Sequence, residues 1–317
     1  MRILVIGATG FIGGPVFDAA RAAGHTVIGV ARTQHPALEA ADRRRPDEIT
    51  SLVRFHRIDV VIDIVAYTKP DTLPLLDALD GSIERYVMLS SADVYASYEL
   101  LNRKREGEPN ATLAEDAPLR VTRFPYRGDT PRAEDADDAW MDDYDKIPIE
   151  DAVRRMKSAW TILRLPMVYG PGDRQTRFAW ASHAMTEGAA ELVIPPAWAH
   201  WVSTFEYVHN VAEAIVFAAT HASAANRIFN VGEAEPVEQI EWAHRLARAL
   251  AWQGEIRIDA DAPMARRLGA LDLTVPLALD TSALSALGFE PSTSVEAALA
   301  ATLVAFGADQ PARTSSA

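Results

Sequence analysis

The strongest constraint on the fold is a run of glycines between a short apolar segment and an amphipathic one. Residues 2–6 form a predicted buried strand, and Gly7-Ala8-Thr9-Gly10-Phe11-Ile12-Gly13 follows directly. Gly7 suits a tight turn, Gly10 a close backbone approach to a pyrophosphate, and Gly13 close packing of helix on strand. Free N–H groups at the helix start favour phosphates. The loop therefore predicts a dinucleotide site, with these cofactor-binding residues: Gly7, Thr9, Gly10, Phe11, Ile12 and Gly13.

Short apolar runs alternate with amphipathic runs through the first half of the chain. The predicted strands there are Arg2–Ile6, His25–Ala31, Ala37–Ala41, Val60–Val65, Arg85–Ser90 and Thr161–Leu165, and the predicted helices are Phe11–Ala23, Asp47–Phe55, Asp71–Leu79 and Ile149–Lys157. Such alternation is typical of a parallel sheet covered on both faces. The second half is predicted to contain the helices Val208–Ala222, Val237–Ala251 and Val295–Phe306, the strands Arg227–Val231 and Glu255–Ile258, and a frayed tail after Gly307. The pattern predicts an α/β fold, a doubly wound parallel sheet with a smaller C-terminal domain.

The segment from Ala96 to Asp145 breaks this alternation. It is polar, with arginines in its first part and aspartates in its second part. A long loop in a compact domain is usually functional, so two interpretations remain open: a solvated surface excursion, or a lid that contacts substrate. The acidic run lacks the spacing of a calcium loop, and the eight histidines show no metal-ligand spacing, so no metal site is predicted.

Composition limits the partners. The 317 residues carry 31 Lys and Arg against 44 Asp and Glu, a formal net charge of −13, which argues against nucleic acid or an anionic membrane as the main partner. The chain has no cysteine, which excludes a cysteine nucleophile and Cys-ligated zinc. No apolar run reaches the roughly 18 residues of a spanning helix, and glycines interrupt the apolar N-terminus where a signal peptide would be continuous. We expect a cytoplasmic location.

Further motifs accompany the glycine spacing G-x-x-G-x-x-G, and together they resemble the extended branch of the short-chain dehydrogenase/reductase superfamily, the NAD-dependent epimerase/dehydratase family. They are Tyr86-Val87-Met88-Leu89-Ser90-Ser91-Ala92-Asp93-Val94-Tyr95, Arg164-Leu165-Pro166-Met167-Val168-Tyr169-Gly170-Pro171-Gly172, Tyr207-Val208-His209-Asn210-Val211-Ala212, Phe229-Asn230-Val231-Gly232 and Leu287-Gly288-Phe289. The resemblance implies a Rossmann NAD(P)-binding domain over residues 1–165, with a return segment at about 203–235. It implies a substrate-binding domain over 166–202 and 236–317.

In this family a Ser or Thr hydroxyl binds the substrate oxygen, a Tyr acts as acid and base, and a Lys four residues later holds the nicotinamide ribose. Ser91 matches the first role by its place in the strand-end motif. Lys146 matches the last role, because Lys146-Ile147-Pro148-Ile149-Glu150 resembles the family's Lys-x-x-x-Glu segment. Ser90 is interpreted as structural.

The tyrosine departs from the family spacing. Asp142 stands four residues before Lys146, and Tyr144 stands only two residues before it, which on a regular helix means nearly opposite faces. Pro148 would clash with the carbonyl of Tyr144 in a continuous helix, so the helix is predicted to begin after Tyr144. Tyr144 then lies in the preceding loop with a free ring direction. It is the leading candidate for the acid/base, with Tyr126 and Asp142 as alternatives.

The end of the second strand indicates the cofactor. A NAD binder usually carries an acidic residue there, whereas this chain has Ala31-Arg32, and Arg32 can pair with a 2′-phosphate. This favours NADP(H), with NAD(H) as the alternative. The resemblance assigns further cofactor contacts to Asp42, Arg43, Ala66, Tyr67, Lys146, Pro166 and Val168.

The resemblance implies an oxidoreductase or epimerase that acts by hydride transfer on a sugar-like or other carbonyl or hydroxyl substrate. Ser203 stands where many sugar-nucleotide enzymes place a diphosphate-binding Arg, which favours a smaller small-molecule substrate. The irregular Tyr spacing leaves an alternative, a non-catalytic NADP(H)-binding sensor or scaffold. The family often forms dimers, so a homodimer is expected, with 149–157 and 71–79 at the interface.

Overall fold

A computed structural model describes residues 1–133 and 135–308 of the chain. The strands are β1 (Arg2–Ile6), β2 (Thr26–Ala31), β3 (Glu39–Ala40), β4 (Val60–Asp63), β5 (Arg85–Ser91), β6 (Ala159–Leu165), β7 (Met167–Tyr169), β8 (Glu191–Ile194), β9 (Val202–Ser203), β10 (Phe205–Tyr207), β11 (Arg227–Asn230), β12 (Val237–Glu238) and β13 (Glu255–Ile258). The helices are α1 (Gly13–Ala22), α2 (Pro46–His56), α3 (Lys69–Leu79), α4 (Ala96–Leu101), α5 (Lys146–Val153), α6 (Ala179–Thr186), α7 (Pro196–Ala199), α8 (Val208–Thr220), α9 (Gln239–Ala249), α10 (Ala265–Leu268), α11 (Ser282–Ser285) and α12 (Val295–Ala308).

Seven strands form one parallel sheet in the order β11-β6-β5-β4-β1-β2-β3. The order reverses at β1, which lies between β2 and β4, so the chain winds outward in both directions from this point. In such a sheet, ligands bind at the carboxyl ends of the strands, next to the reversal. The predicted α/β fold with a doubly wound parallel sheet is therefore confirmed.

Successive strand residues point to opposite sides of the sheet, so apolar strands present apolar side chains on both faces. Helices cover both faces. Ile3 and Val5 pack on the side of α1 and α8, while Leu4 and Ile6 pack on the side of α2, α3 and α5. All four side chains are essentially inaccessible to solvent. Burial on both faces explains why β1 is a continuous apolar run and not an alternating one.

The remaining strands build the smaller C-terminal α/β region. β8 pairs with β13 in parallel, and β9 pairs with β12 antiparallel. β7 pairs with β10 in parallel as a separate two-stranded sheet. Within the described residues, no helix is long and apolar enough to cross a membrane.

Several predicted boundaries were wrong. The first helix begins at Gly13 and not at Phe11, because Phe11 and Ile12 belong to the glycine loop. The predicted helix Val237–Ala251 is divided, since its first two residues pair with β9 as β12. The predicted loop 96–145 contains α4 and a short 3₁₀ turn at Ala139–Asp142. Beyond Gly307, helix α12 continues to Ala308, and the rest of the predicted tail lies outside the described residues.

The segment around Lys146 folds as Pro148 predicts. The predicted helix Ile149–Lys157 is observed as α5, which begins at Lys146 and ends at Val153. The side chain of Asp145 caps it by accepting from the backbone N–H of Ile147 at 3.3 Å. Pro148 lies in the first turn, where its missing N–H costs little. The helix therefore begins after Tyr144, as expected from the sequence.

Candidate active site

The glycine loop forms a turn that requires its glycines. Gly7 has φ of +89°, a conformation that L side chains rarely adopt, and its carbonyl accepts from the N–H of Gly10 at 3.0 Å. A Cβ on Gly13 would lie 2.0 Å from the Gly7 oxygen, so α1 can start this close to β1 only with glycine there. The residue at the N-cap of α1, Ile12, has an apolar side chain and does not cap the helix. The backbone thus forms a tight cradle at the N-terminus of α1, where the helix dipole is positive, which fits a dinucleotide diphosphate.

The residues expected around the adenosine are Arg32, Asp42 and Arg43, and they differ in exposure. Arg32 is exposed just beyond β2. Asp42 accepts a 2.6 Å hydrogen bond from Arg44, and this bond with the nearby positive charges of Arg44 and Arg32 lowers its carboxyl pKa to about 2. A 2′-phosphate near Arg32 would therefore also lie near an ionised Asp42, whose charge Arg44 offsets.

Arg43, also expected near the cofactor, is paired inside the protein. Its side chain is 8% exposed and turns into the protein, where its Nη2 donates to Asp63 Oδ2 at 2.5 Å. Its Nη1 donates to the carbonyl of Asp71 at 3.1 Å. This inward ion pair compensates the charge of the fully buried Asp63 at the end of β4, and a contact of Arg43 with cofactor stays a prediction.

The residues predicted to line the nicotinamide lie at the ends of the central strands. Ala66 is buried and Tyr67 half-buried in the segment after β4. Pro166 separates β6 from β7, and the Val168 side chain is buried in the core. Their contacts with a cofactor stay predictions.

Lys146 is anchored between two strand ends. Its Nζ donates to the carbonyl of Ala66 at 2.7 Å and to the carbonyl of Leu89 at 2.8 Å. It also lies over two aromatic rings, 4.7 Å from the centroid of Tyr67 and 5.6 Å from that of Tyr144. The side chain is 3% exposed, and burial lowers the pKa of its ammonium group to about 8.

Ser91, Tyr144 and Lys146 come together despite the irregular spacing. The backbone of Tyr144 pairs with Thr68 across a short bridge, which directs its ring toward the end of β5. Its hydroxyl donates to Asp93 Oδ2 at 2.8 Å, and the backbone N–H of Asp93 donates to Ser91 Oγ at 3.2 Å. The loop geometry thus brings into the site a phenol that helical spacing would have turned away.

Asp93 is the site residue to which our sequence analysis gave no role. Its carboxylate is 4% exposed, and Oδ2 accepts from two phenols, Tyr144 at 2.8 Å and Tyr126 at 2.9 Å. Oδ1 has no hydrogen-bond partner within the part of the chain that the structure describes. The signal was present in the sequence, since a carboxylate two residues after Ser91 interrupts an otherwise small and apolar strand end.

The carboxylate changes the proton affinity of the phenols. Burial raises the pKa of Tyr144 well above its ordinary value, and the negative charge of Asp93 raises it further. The pKa of Tyr126 is raised by the same two causes in the same order. Tyr144 therefore holds its proton at neutral pH, as a proton donor requires and as a phenolate base does not.

The other acid/base candidates differ in position. Tyr126 lies beside Tyr144, with ring centroids 5.1 Å apart. Asp142 is engaged with another residue, because its carboxylate accepts from the backbone N–H of Arg132 at 2.7 Å and is paired with the Arg132 guanidinium. This pairing favours Tyr144 over Asp142 as the acid/base, and the choice stays a prediction. Among the described residues, no group of three or more His, Asp or Glu side chains could hold a metal ion.

The sheet order and the glycine cradle define a dinucleotide-binding α/β protein. Residues 3–232 match the model of the NAD dependent epimerase/dehydratase family, and the chain belongs to this family.

A 3-diazoavenalumate denitrifying reductase from a Streptomyces species is 28% identical over 274 residues, which cover 79% of this chain and 82% of that protein. UDP-glucose 4-epimerase from Thermus thermophilus, solved with NAD, has a TM-score of 0.67 and 21% identity, covering 98% of this chain and all of that one. UDP-glucose-4-epimerase from Stenotrophomonas maltophila, solved with NAD and formylated UDP-arabinopyranose, has a TM-score of 0.71 and 18% identity, covering 97% and 98%. These structural similarities show the fold.

Proposed function

We propose that the protein is an NADP(H)-dependent reductase that transfers a hydride to a carbonyl substrate, with Tyr144 as proton donor. The observation that carries this proposal is the 2.8 Å hydrogen bond from the Tyr144 hydroxyl to the buried Asp93. A phenol that is buried beside a carboxylate stays protonated, which favours reduction over the reverse reaction, in which a phenolate must first accept a proton. The name of the Streptomyces relative, a reductase, supports the same direction.

Each site residue has its own role in the proposed reduction. When bound, the reduced nicotinamide supplies the hydride. The substrate oxygen replaces Asp93 as the acceptor of the Tyr144 proton, and Ser91 donates a second hydrogen bond to the same oxygen. Lys146 holds the nicotinamide ribose and offsets the negative charge that develops on Tyr144. Before substrate binds, Asp93 orients the Tyr144 hydroxyl, and the Tyr126 hydroxyl holds the Asp93 carboxylate, so Asp93 and Tyr126 are positioning residues.

The NADP(H) preference rests on Arg32. It is exposed at the end of β2, where a carboxylate would repel a 2′-phosphate, and it neighbours the Asp42–Arg44 pair. The solved relatives named above contain NAD, so NAD(H) is the alternative. The glycine loop, Ala66, Tyr67, Pro166 and Val168 complete the proposed cofactor site.

We assign cofactor binding and substrate binding to different parts of the chain. Residues 1–165 and the return segment 203–235 bind the cofactor, and 166–202 and 236–317 bind the substrate. We further propose a cytoplasmic homodimer that uses α3 and α5, which pack side by side. Light scattering of the purified protein tests the dimer.

Two measurements test the function. Calorimetric titration with NADPH and NADH should give heat, with the tighter dissociation constant for NADPH. NADPH consumption should then be seen with a member of an aldehyde and ketone panel, and Tyr144→Phe should abolish it without weakening NADPH binding. Absence of binding heat overturns the proposal. Tight binding without turnover on any substrate, and without an effect of Tyr144→Phe in cells, would instead favour a non-catalytic NADP(H) sensor or scaffold.

A further inference from the structure

Arg120 belongs to the 96–145 insertion and is buried, with only 4% of the residue exposed. Each of its three guanidinium nitrogens donates to the protein. Nε donates to the carbonyl of Asp93 at 2.9 Å, Nη2 to Asp145 Oδ1 at 2.6 Å, and Nη1 to the carbonyl of Thr122. A guanidinium is planar and rigid, so the acceptors that it binds are fixed relative to one another.

The backbone on both sides of Arg120 is attached to the segment that follows β5. The N–H of Arg120 donates to the carbonyl of Val94 at 2.8 Å. The carboxylate of Glu99, in α4, is 1% exposed and accepts from the N–H groups of Val121 and Thr122. This part of the insertion therefore has a fixed position, from which the guanidinium reaches into the protein.

Arg120 connects the two segments that carry the hydrogen bond between Tyr144 and Asp93. Asp93 follows β5 and accepts from the Tyr144 hydroxyl, while Asp145 is the next residue after Tyr144 and caps α5. Because Arg120 donates to both aspartates, the contacts form a closed ring that runs from the Tyr144 hydroxyl through Asp93, Arg120 and Asp145 back to Tyr144. A hydrogen bond inside such a ring is displaced only when a second contact breaks.

A second arginine near Asp145 does not supply the same connection. Arg123 lies 3.6 Å from Asp145 Oδ2, and its side chain is 53% exposed. Water competes with an exposed ion pair of this kind, which contributes little. Among residues 1–133 and 135–308, Asp145 Oδ2 has no hydrogen-bond partner, so the charge of the buried Asp145 is compensated mainly by Arg120 at Oδ1.

We propose that Arg120 is a positioning residue that holds the Tyr144 hydroxyl at Asp93 by joining the end of β5 to the start of α5. This inference rests on the proposed function, in which Tyr144 donates the proton. A reacting group that is displaced by about 1 Å loses on the order of a hundredfold in rate. Arg120 acts through Asp93 and Asp145 and not on the substrate itself. The 96–145 insertion thereby contributes to the geometry of the site.

The charge of Arg120 and the geometry of its guanidinium can be separated by one substitution. Burial and then the negative charge of Asp93 raise the pKa of Tyr144, and the positive charge of Arg120 opposes them. Lysine keeps this charge, but its single ammonium does not reproduce the fixed spacing of Nε, Nη1 and Nη2. If geometry matters, Arg120→Lys should behave like Arg120→Met, which has neither the charge nor the donors.

The first measurement observes the contact without any turnover. In protein labelled with carbon-13 at tyrosine Cζ, the NMR resonance missing from Tyr144→Phe belongs to Tyr144, and its shift depends on the hydrogen bond to Asp93. Arg120→Met should move this resonance toward its position in Asp93→Ala. Arg85→Ala removes a guanidinium that donates to the carbonyl of Ala218 at the other end of β5, and it should leave the resonance unmoved. An unmoved Tyr144 resonance in Arg120→Met overturns the inference.

The second measurement follows NADPH consumption with benzaldehyde and cyclohexanone as the first members of the aldehyde and ketone panel. Arg120→Met should lower kcat about 10- to 100-fold, the cost of a misplaced donor, and change the dissociation constant for NADPH by less than about twofold. Equal losses in kcat and in NADPH affinity would mean a general loss of structure and would overturn the positioning role. A wild-type kcat in Arg120→Lys would show that charge alone acts, with the same consequence.

A double variant keeps the test decisive if Arg120→Met unfolds because it leaves Asp145 buried and unpaired. Asp145→Asn retains a side chain that caps a helix but carries no charge. The double variant Arg120→Met/Asp145→Asn leaves no unpaired charge, and its kcat should equal that of Asp145→Asn, as expected for two residues that act through one contact. A further fall in kcat would mean that the two residues act independently, which overturns the bridge. If the wild type reduces no member of the panel, the proposed function fails, whereas the Tyr144 resonance still decides whether Arg120 holds the contact.

Discussion

The Tyr144 hydroxyl donates a 2.8 Å hydrogen bond to Oδ2 of Asp93, a residue 51 positions earlier in the chain. This bond joins the loop before α5 to the end of β5. It holds the hydroxyl of a tyrosine only two residues before Lys146 at the end of β5. Burial of the phenol, and then the negative charge of Asp93, raise the pKa of Tyr144 and keep it protonated.

Tyr144→Phe should lower kcat by roughly 100- to 10,000-fold, the range for loss of a general acid, with little change in the dissociation constant for NADPH. Steady-state kinetics and calorimetry on the same preparation measure both quantities. Tyr95→Phe is the control, since the Tyr95 hydroxyl is buried on Asn230 at 2.6 Å and away from Asp93. Equal kcat values for wild type and Tyr144→Phe would assign the proton to another group.

Asp93→Asn should move the pH dependence of kcat. The negative charge of Asp93 raises the pKa of Tyr144, so the neutral amide lowers that pKa and shifts the basic limb of the profile to lower pH. The amide keeps the shape of the side chain. An unshifted basic limb, with kcat reduced equally at all pH values, would mean that Asp93 acts on shape alone.

Through Lys146, a rise in pH should weaken NADPH binding and increase the free energy of unfolding. Burial lowers its pKa from 10.5 to about 8, so the ammonium form predominates below pH 8 and is lost above it. NADPH affinity should therefore fall above pH 8. Between about pH 8 and 10.5 the unfolded chain binds more protons at this group, so its contribution to the free energy of unfolding should rise. Lys146→Met should lack both dependences in calorimetric titration and urea unfolding. Retention of either one by the variant would assign it to a different group.

Arg32→Ala should raise the dissociation constant for NADPH about tenfold, or about 1.4 kcal/mol, and leave that for NADH unchanged. The effect is modest because Arg32 is exposed and water competes for the phosphate. Arg21→Ala, at the far end of α1, is the matched control. A parallel loss of NADH affinity would show that Arg32 does not distinguish the two cofactors.

The free energy of unfolding should depend on pH through the carboxyl group of Glu206. Burial raises its carboxyl pKa from 4.5 to about 7, against the hydrogen bonds from Asn210 at 3.1 Å and from the N–H of Tyr207 at 2.8 Å. Because folding raises this carboxyl pKa, Glu206 contributes about 3 kcal/mol to the free energy of unfolding below pH 4.5. This contribution is lost as the pH rises to about 7. Denaturant unfolding of Glu206→Gln should lack this component, whereas Glu255→Gln, an exposed control, should keep it. Identical pH profiles for wild type and Glu206→Gln would contradict the assignment.

Sequence patterns alone determined the fold class, the glycine loop, and the places of Ser91 and Lys146. These features depend on local physics: strand periodicity, the steric need for Gly7 and Gly13, and a proline that sets the start of α5. They identified the family resemblance, which the family match then confirmed.

Only the tertiary structure decided which side chains meet. It directs Tyr144 and Tyr126 to Asp93, turns Asp142 away to Arg132, and buries Arg43 against Asp63. The direction of a loop side chain depends on partners tens of residues away, and no periodicity encodes them. Burial makes an unpaired charge costly, so charged side chains inside the protein form ion pairs. The linear sequence does not reveal which charges are buried together.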